Sequence, residues 1–356
     1  MHLQRIPVRA GREYEVVVGR GLLEKSGALL IEAVGNCKLA IVTDSNVERL
    51  YLNVVQSSLR QVGYDVCSFA FPAGESAKRM HTLSDILEFL AENRISRGDC
   101  VVALGGGVTG DLTGFAAGCY LRGVRYVQMP TTLLAAVDSS VGGKTAVDLS
   151  AGKNLAGLFY QPSLVVCDPD CFSTLPDDEF ANGAAEAIKT GILDGEVLFR
   201  LFEAGDVRDS VDEIVARCVA FKAAVVEADE FDGAVRNTLN LGHTAGHAIE
   251  LCSDYTIPHG QAVAIGLAII ARASETLGEA TEPIAERIRQ TLIQNGLPVT
   301  SPFSPEQLAK AALSDKKRTG DSIRLVIPRR IGECVLKTIP VSELLSVFRA
   351  GMEDGA

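Results

Sequence analysis

The sequence predicts an α/β amino-terminal domain built on a parallel sheet, followed by a mainly α-helical carboxy-terminal domain. Three observations carry this expectation. Between Leu39 and Thr132 short β-branched runs alternate with amphipathic segments, the rhythm of parallel strands separated by crossover helices. After Pro176 most of the chain shows apolar residues at helical spacing. The length of 356 residues corresponds to about two domains at ~150 residues each, which we place at 1–175 and 176–356.

Taken in order, "IPVRAGREYEVVVG" reads as an N-terminal hairpin and "LAIVTD" (39–44) as the first buried strand, followed by a helix through Gln61. "DVCSFAF" (65–71), a helix over about 78–93, "CVVALGGG" (100–107) and "YVQMPTT" (126–132) continue the alternation. Beyond Pro176, Asp177 to Gly195, Asp206 to Asp229, His243 to Leu251, Gly260 to Leu277 and Glu282 to Asn295 read as helices. "IRLVIPRRIGECVLKTIP" (323–340) is the exception, a strand pair expected to turn at Arg329-Arg330.

Composition excludes several function classes. Apolar residues at 47% and charged residues at 22% describe a globular protein. A net charge of −11 disfavours general binding to nucleic acid or anionic lipid, so any anion must meet a local basic cluster. The longest apolar stretch, Ala262 to Ala271, is too short to span a bilayer, and the N-terminus lacks a signal-type apolar core. We therefore expect a cytoplasmic protein without membrane or nucleic-acid partners. The nine cysteines form no CxxC pair and sit mostly in apolar runs, as reduced core thiols do.

Two patterns carry chemistry. Gly105-Gly106-Gly107-Val108-Thr109-Gly110-Asp111 follows a strand and opens an apolar helix, where free N–H groups and the helix dipole suit a pyrophosphate. A tight turn using glycine only for positive φ fits the same residues. The pattern departs from the ordinary Rossmann fingerprint, because no acidic residue ends a strand about 20 residues later. Asp44, with Asn46 beside it, closes an earlier strand and suits either a ribose hydroxyl or a helix N-cap.

The second pattern is the histidine set. His243 and His247 share one helical face, and His259 follows, so three of only five histidines cluster. Glu186, with Lys189 one turn later in "GAAEAIKTG", is a candidate carboxylate partner, but spacing does not rank it above Glu250 or Glu227. Lys144, Lys153, Lys222, Arg122, Arg236 and "DKKRTG" (315–320) supply cations near Gly or Asn in an otherwise acidic chain, as a small polyanionic substrate requires.

Together these segments resemble the 3-dehydroquinate synthase family of sugar phosphate cyclases. The resemblance runs from about Tyr14 to Leu345 and rests on "PAGESAK" (72–78), "GGGVTGDLTGFAA" (105–117), "RGVRYVQMPTTLLAAVDSSVGGKTAVDLSAGKNLAGLFYQP" (122–162), "GAAEAIKTG" (183–191), "FKAAVVEADEFDGAVRNTLNLGHTAGHAIE" (221–250) and "DKKRTG". It implies a Rossmann-like, dehydroquinate synthase-like fold and a carbon–oxygen lyase acting on a phosphorylated sugar acid. The implied cofactors are NAD in the first domain and Zn2+ or Co2+ in the second. The implied reaction converts 3-deoxy-D-arabino-heptulosonate 7-phosphate to 3-dehydroquinate and phosphate, the second step of the shikimate pathway. Transient oxidation at C5, phosphate elimination, reduction and an intramolecular aldol follow one another, and NAD is regenerated.

Residue by residue, the resemblance implies Glu186, His243 and His259 as metal ligands. Asp44, Asn46, Glu75, Lys78, Gly105, Gly106, Gly107, Asp111, Thr131, Thr132, Lys144, Lys153 and Thr174 are the implied cofactor contacts. Asp138, Lys144, Asn154, Lys189 and His247 are implied in catalysis, and Lys222, Arg236, Asn240, Arg122 and Lys316 in substrate binding. Arg122 is implied to serve the neighbouring subunit's phosphate site, hence a homodimer. Two departures stand out. Gln261 follows His259-Gly260 where the family carries Glu, removing a negative charge beside the metal. Ala245 replaces a common aromatic.

Overall fold

The computed structural model describes residues 3–205, 207–313, 318–319 and 321–352. The chain divides into two compact units: Met1–Leu175 with Lys222–Phe231, and Pro176–Phe221 with Asp232–Ala356. The segment from Lys222 to Phe231 thus packs with the first unit, although it lies past residue 176 in the sequence.

The first unit is a seven-stranded sheet in the order β1-β2-β9-β6-β5-β3-β4. Only the hairpin β1 (Gln4–Arg9) and β2 (Glu13–Val18) is antiparallel. β3 (Lys38–Asp44), β4 (Asp65–Phe71), β5 (Cys100–Gly105), β6 (Arg125–Pro130) and β9 (Leu164–Cys167) run parallel. Strand β5 is buried throughout, as expected where both sheet faces are covered. Helices α1 (Ser26–Val34), α2 (Ser45–Val47), α3 (Asn53–Gln61), α4 (Met80–Glu92) and α5 (Gly107–Cys119) make the connections, with a π-turn at Glu48–Leu52.

From β3 the chain moves outward to β4, then returns to place β5 on the other side of β3. The order therefore reverses between β3 and β5, and their carboxyl ends lie side by side, Thr43 opposite Leu104. In open α/β sheets that reversal is where ligands bind. A second hairpin, β7 (Lys144–Leu149) with β8 (Gly152–Phe159), occupies a segment whose glycines and lysines hid its strand periodicity.

The second unit contains α6 (Asp177–Asp194), α7 (Glu196–Glu203), α8 (Val211–Ala228, shared with the first unit from Lys222), α9 (His243–Cys252), α10 (His259–Thr276), α11 (Ala285–Gln294), α12 (Pro305–Ala312) and α13 (Leu344–Met352). A small sheet, β10 (Arg318–Thr319), β11 (Ser322–Arg330) and β12 (Glu333–Pro340), completes it. The turn between β11 and β12 falls at Ile331-Gly332, not at Arg329-Arg330. Arg330 pairs with Glu333, and Gly332 at φ +85° supplies the left-handed residue that a tight turn needs.

Glycines let the helices of this unit approach closely. A Cβ on Gly260 would stand 2.1 Å from the Asn182 carbonyl oxygen of α6, and one on Gly266 2.1 Å from the Gly242 carbonyl oxygen at the head of α9. These contacts bring Glu186, His243 and His259 within reach of one another.

Candidate metal centre and cofactor turn

Glu186 lies mid-way along α6 with 1% of its surface exposed. Its Oε2 accepts a 2.5 Å hydrogen bond from Lys189 Nζ, and both side chains are buried, so this is not the exposed helix pair that i,i+3 spacing usually signals. Oε1 accepts no hydrogen bond; it faces His243 Nε2 at 3.5 Å and His259 Nε2 at 3.3 Å. The arrangement ranks Glu186 above the other two carboxylates. Glu250 contacts the far side of His259, and Glu227 belongs to the first unit, where it lies 3.8 Å from Arg9.

The imidazole tautomers follow from their partners. His243 Nδ1 lies 3.1 Å from the Leu241 carbonyl oxygen, which only accepts, so the neutral ring carries its proton on Nδ1. His259 Nδ1 lies 3.1 Å from Glu250 Oε2 and is assigned the same way. In the neutral rings both unprotonated Nε2 atoms then lie close to Glu186 Oε1. Three electron pairs converge in a largely buried space, which is unfavourable unless a cation lies among them, and two histidines with one carboxylate suit a divalent ion.

The acid–base balance shows the same demand. Burial works to raise the Glu186 pKa, but Lys189, His243 and His259 outweigh it and hold the carboxyl far below its usual range. Burial works to lower the His259 pKa, yet Glu186 and Glu250 push it up to about 10, so a proton on Nε2 meets the demand for positive charge until a metal ion displaces it. His247, one turn after His243, sets its ring centroid 5.4 Å from that of His243 and 6.1 Å from that of His259. Arg236 is 2% exposed on the 3-10 turn before α9, and Asn240 Nδ2 donates to the Asn237 carbonyl on the same turn.

In the first unit, Asp44 and the glycine turn meet at the strand-order reversal. Asp44 Oδ1 accepts from the Asn46 and Val47 backbone N–H groups, so it does cap α2, while Oδ2 accepts from Thr109 Oγ1 at 3.3 Å across the turn. Gly106 is the N-cap of α5 and has no side chain to close the helix end. A Cβ there would stand 3.1 Å from Thr132, and one on Gly107 would stand 3.1 Å from Ser139 Oγ. The buried Thr131 Oγ1 makes no hydrogen bond. An uncapped helix end, a side-chain-free cradle and an unused hydroxyl fit a dinucleotide's phosphates.

Lys78, 5% exposed, joins two implied sets. Its Nζ is 2.5 Å from Asp111 Oδ2 and donates to Asn154 Oδ1 at 2.6 Å. Asn154 is held at φ +53°, with its N–H donating to Asp148 Oδ1. Burial raises the Asp111 pKa, with Lys78 opposing it, while Asp111 and Glu75 overcome desolvation to keep Lys78 charged. Lys153 lies 3.9 Å from Glu75. Thr174 Oγ1 is 2.6 Å from Tyr51 Oη and donates to the Cys171 carbonyl. Lys144 is exposed at the start of β7. Lys222 Nζ donates to the Asp138 carboxylate at 2.5 Å and to its carbonyl at 2.6 Å. Arg122 sits exposed between Leu121 and Gly123 in three successive left-handed conformations, φ +51°, +66° and +118°. Lys316 lies outside the described residues.

The fold and site define a class: a parallel-sheet unit with a dinucleotide-type glycine turn, and a helical unit in which one glutamate and two histidines could hold a metal ion. Models described as 3-dehydroquinate synthase N-terminal and C-terminal match residues 68–182 and 183–318. A 3-dehydroquinate synthase of Streptococcus suis (strain 05ZYH33) is 40% identical over 343 residues, 94% of this chain and 97% of the relative. The chain belongs to the 3-dehydroquinate synthase family. Among solved structures, a 2-deoxy-scyllo-inosose synthase complexed with carbaglucose-6-phosphate, NAD+ and Co2+ aligns with TM-score 0.88 and 25% identity, covering 99% of this chain and 100% of that one. The 2-epi-5-epi-valiolone synthase of Streptomyces hygroscopicus subsp. jinggangensis 5008, with NAD+ and Zn2+ bound, aligns with TM-score 0.86 and 25% identity, covering 98% and 99%.

Proposed function

We propose that this protein converts 3-deoxy-D-arabino-heptulosonate 7-phosphate to 3-dehydroquinate and phosphate, as a carbon–oxygen lyase of the shikimate pathway. The observation that carries the reading is the convergence of Glu186, His243 and His259 on one point, in a chain that is 40% identical to a 3-dehydroquinate synthase over nearly its whole length. Residues 1–175 would form the NAD-binding domain and 176–356 the helical metal- and substrate-binding domain. A cytoplasmic homodimer, with Arg122 serving the partner's phosphate site, completes the proposal.

Glu186 Oε1 and the two Nε2 atoms would hold the divalent metal. Asp44, Asn46, Glu75, Lys78, the Gly105–Gly107 turn, Asp111, Thr131, Thr132, Lys144, Lys153 and Thr174 would hold NAD. When bound, NAD supplies reversible oxidation of the C5 alcohol and the metal lowers that alcohol's pKa. Lys189 keeps the Glu186 carboxylate oriented through Oε2. Arg236, Asn240 and Lys222 are assigned to the substrate's carboxylate end, and Asn154, Lys316 and Arg122 to its phosphate, because two anionic ends need separate cation sets. Asp138, Lys144 and His247 are assigned to proton handling and orientation during elimination.

A second reading, a cyclase acting on another sugar phosphate, is favoured by the likeness to 2-deoxy-scyllo-inosose synthase. The retained carboxylate-type cations Lys222 and Arg236 favour the first. The test is phosphate release from 3-deoxy-D-arabino-heptulosonate 7-phosphate by zinc-loaded protein with sub-stoichiometric NAD. Phosphate in excess of NAD without net NADH supports the proposal. Net NADH indicates a dehydrogenase, and inertness toward this substrate moves the second reading forward.

A further inference from the structure

We propose that Glu250 is a positioning residue that fixes the proton and ring orientation of His259, so that the Nε2 lone pair is presented to the ion. The inference rests on the reading that Glu186, His243 and His259 hold a divalent metal. His243, His247 and Glu250 stand at i, i+4 and i+7 of α9, which places all three on one helical face. Glu250 is 4% exposed, and its Oε2 lies 3.1 Å from His259 Nδ1.

The two imidazoles are oriented by different means. His243 finds a partner two residues upstream, the Leu241 carbonyl, so its tautomer is set locally. His259 is the first residue of α10, and its Nδ1 is met by a carboxylate from a different helix. The connecting turn is built to deliver it. Asp254 and Tyr255 adopt left-handed φ values of 50° and 60°, a conformation that non-glycine residues keep only where their surroundings enforce it. The Glu250 carbonyl accepts from Tyr255 N at 2.7 Å and from Ser253 Oγ at 3.0 Å, tying the turn to the residue that supplies the carboxylate. A negatively charged acceptor on the remote nitrogen also makes the ligating nitrogen a stronger donor than a carbonyl would.

The alternative role for Glu250 is as a ligand of a second ion with His247 and His259, since donor atoms of these three also cluster. The 3.1 Å separation of Oε2 and Nδ1 is a hydrogen-bond distance, whereas two ligands of one tetrahedral zinc at ~2.0–2.1 Å each stand roughly 3.3 Å apart.

The experiment is Co2+ binding to the full-length metal-free protein, followed by visible absorption, chelator competition and metal counting. Wild type, Glu250→Gln, Glu250→Ala, Glu186→Gln and His243→Ala are compared. The expected result is one ion per chain in wild type and in Glu250→Gln, with affinity in the latter weakened ~10–100-fold and an altered cobalt spectrum. Glu250→Ala should be weaker still. Glu250→Gln is isosteric, and an unchanged unfolding midpoint of its metal-free form separates positioning from folding. Wild-type affinity and spectrum in both Glu250 variants overturn the inference, as do two ions in wild type falling to one in Glu250→Gln. If Glu186→Gln and His243→Ala bind cobalt like wild type, the metal reading itself fails and the inference falls with it.

Discussion

Replacing Gly266 by alanine sets two effects of known sign against each other. Alanine in a helix interior is favoured over glycine by about 1 kcal/mol, which alone would stabilise α10. The new Cβ, however, would stand 2.1 Å from the Gly242 carbonyl oxygen and 3.1 Å from Gly246 N, where ordinary contact begins at 3.4 Å. Both obstacles are backbone, so α9 and α10 must separate by about 1.3 Å at the first of them. Forcing a packed contact apart costs about 1–3 kcal/mol, so we expect a net loss of up to about 2 kcal/mol. Gly242 directly precedes His243, and ligand distances tolerate only ~0.2 Å, so Co2+ affinity should fall at least ~10-fold. Denaturant unfolding of the metal-free protein and cobalt titration measure the two effects. Gly98→Ala, in a turn, is the control for a glycine replacement without a packing conflict, because its Cβ meets only Ser96 Oγ at 3.7 Å. A Gly266→Ala protein as stable as wild type with unchanged cobalt affinity would refute the packing argument.

Glu186→Gln should abolish stoichiometric metal binding and turnover together, because an amide in that buried position offers no charge to the ion; retained rates after chelation of the variant would contradict this. Arg236→Ala should raise KM for the carboxylated substrate steeply, by ~10-fold or more, and an unchanged KM would remove its assigned role. Gln261→Glu restores a charge beside the metal and should shift the pH optimum of turnover, which superimposable profiles would disprove. Arg287 binds Glu196 and Glu203 through four hydrogen bonds and lies over the Phe199 ring; chiefly through Arg287, with Arg200 adding a further hydrogen bond, the Glu196 pKa falls from 4.5 to about 2. A depressed carboxylate pKa contributes stability above pH 4.5 that is lost as pH falls toward 2. Because Glu196 is 40% exposed, screening reduces the contribution to about 1 kcal/mol. Arg287→Ala should therefore flatten the stability profile between those pH values, and a parallel profile would refute the linkage.

Much of this protein is legible in its residues because the signals are local. Short β-branched runs mark β3 to β6, period-3.6 patterns mark α6 and the helices from α8 to α11, and the glycine turn declares the phosphate-type helix start. What escaped reading had its pattern broken by residues selected for other ends: the β7–β8 hairpin among "GGK" and "AGKN", and the short helices α7, α12 and α13. Asp44 is legible as a strand end, but not its neighbour, since the adjacency of β3 and β5 depends on where the chain reverses strand order.

The sequence by itself determined the family, the alternation of strands and helices, and the presence of a histidine pair on one face. Spacing left the carboxylate partner open and the family resemblance pointed to Glu186; the tertiary structure adds the distances that set Glu186 apart from the other two. Glu186, Glu227 and Glu250 are equivalent by composition and similar in spacing; they are distinguished by whether α6, α9 and α10 pack closely enough, at Gly260 and Gly266, to bring a particular oxygen opposite a particular lone pair. Helical periodicity fixes a side chain's direction to within its own element. Distances of 3.3 and 3.5 Å between elements are set by backbone contacts among residues far apart in the chain.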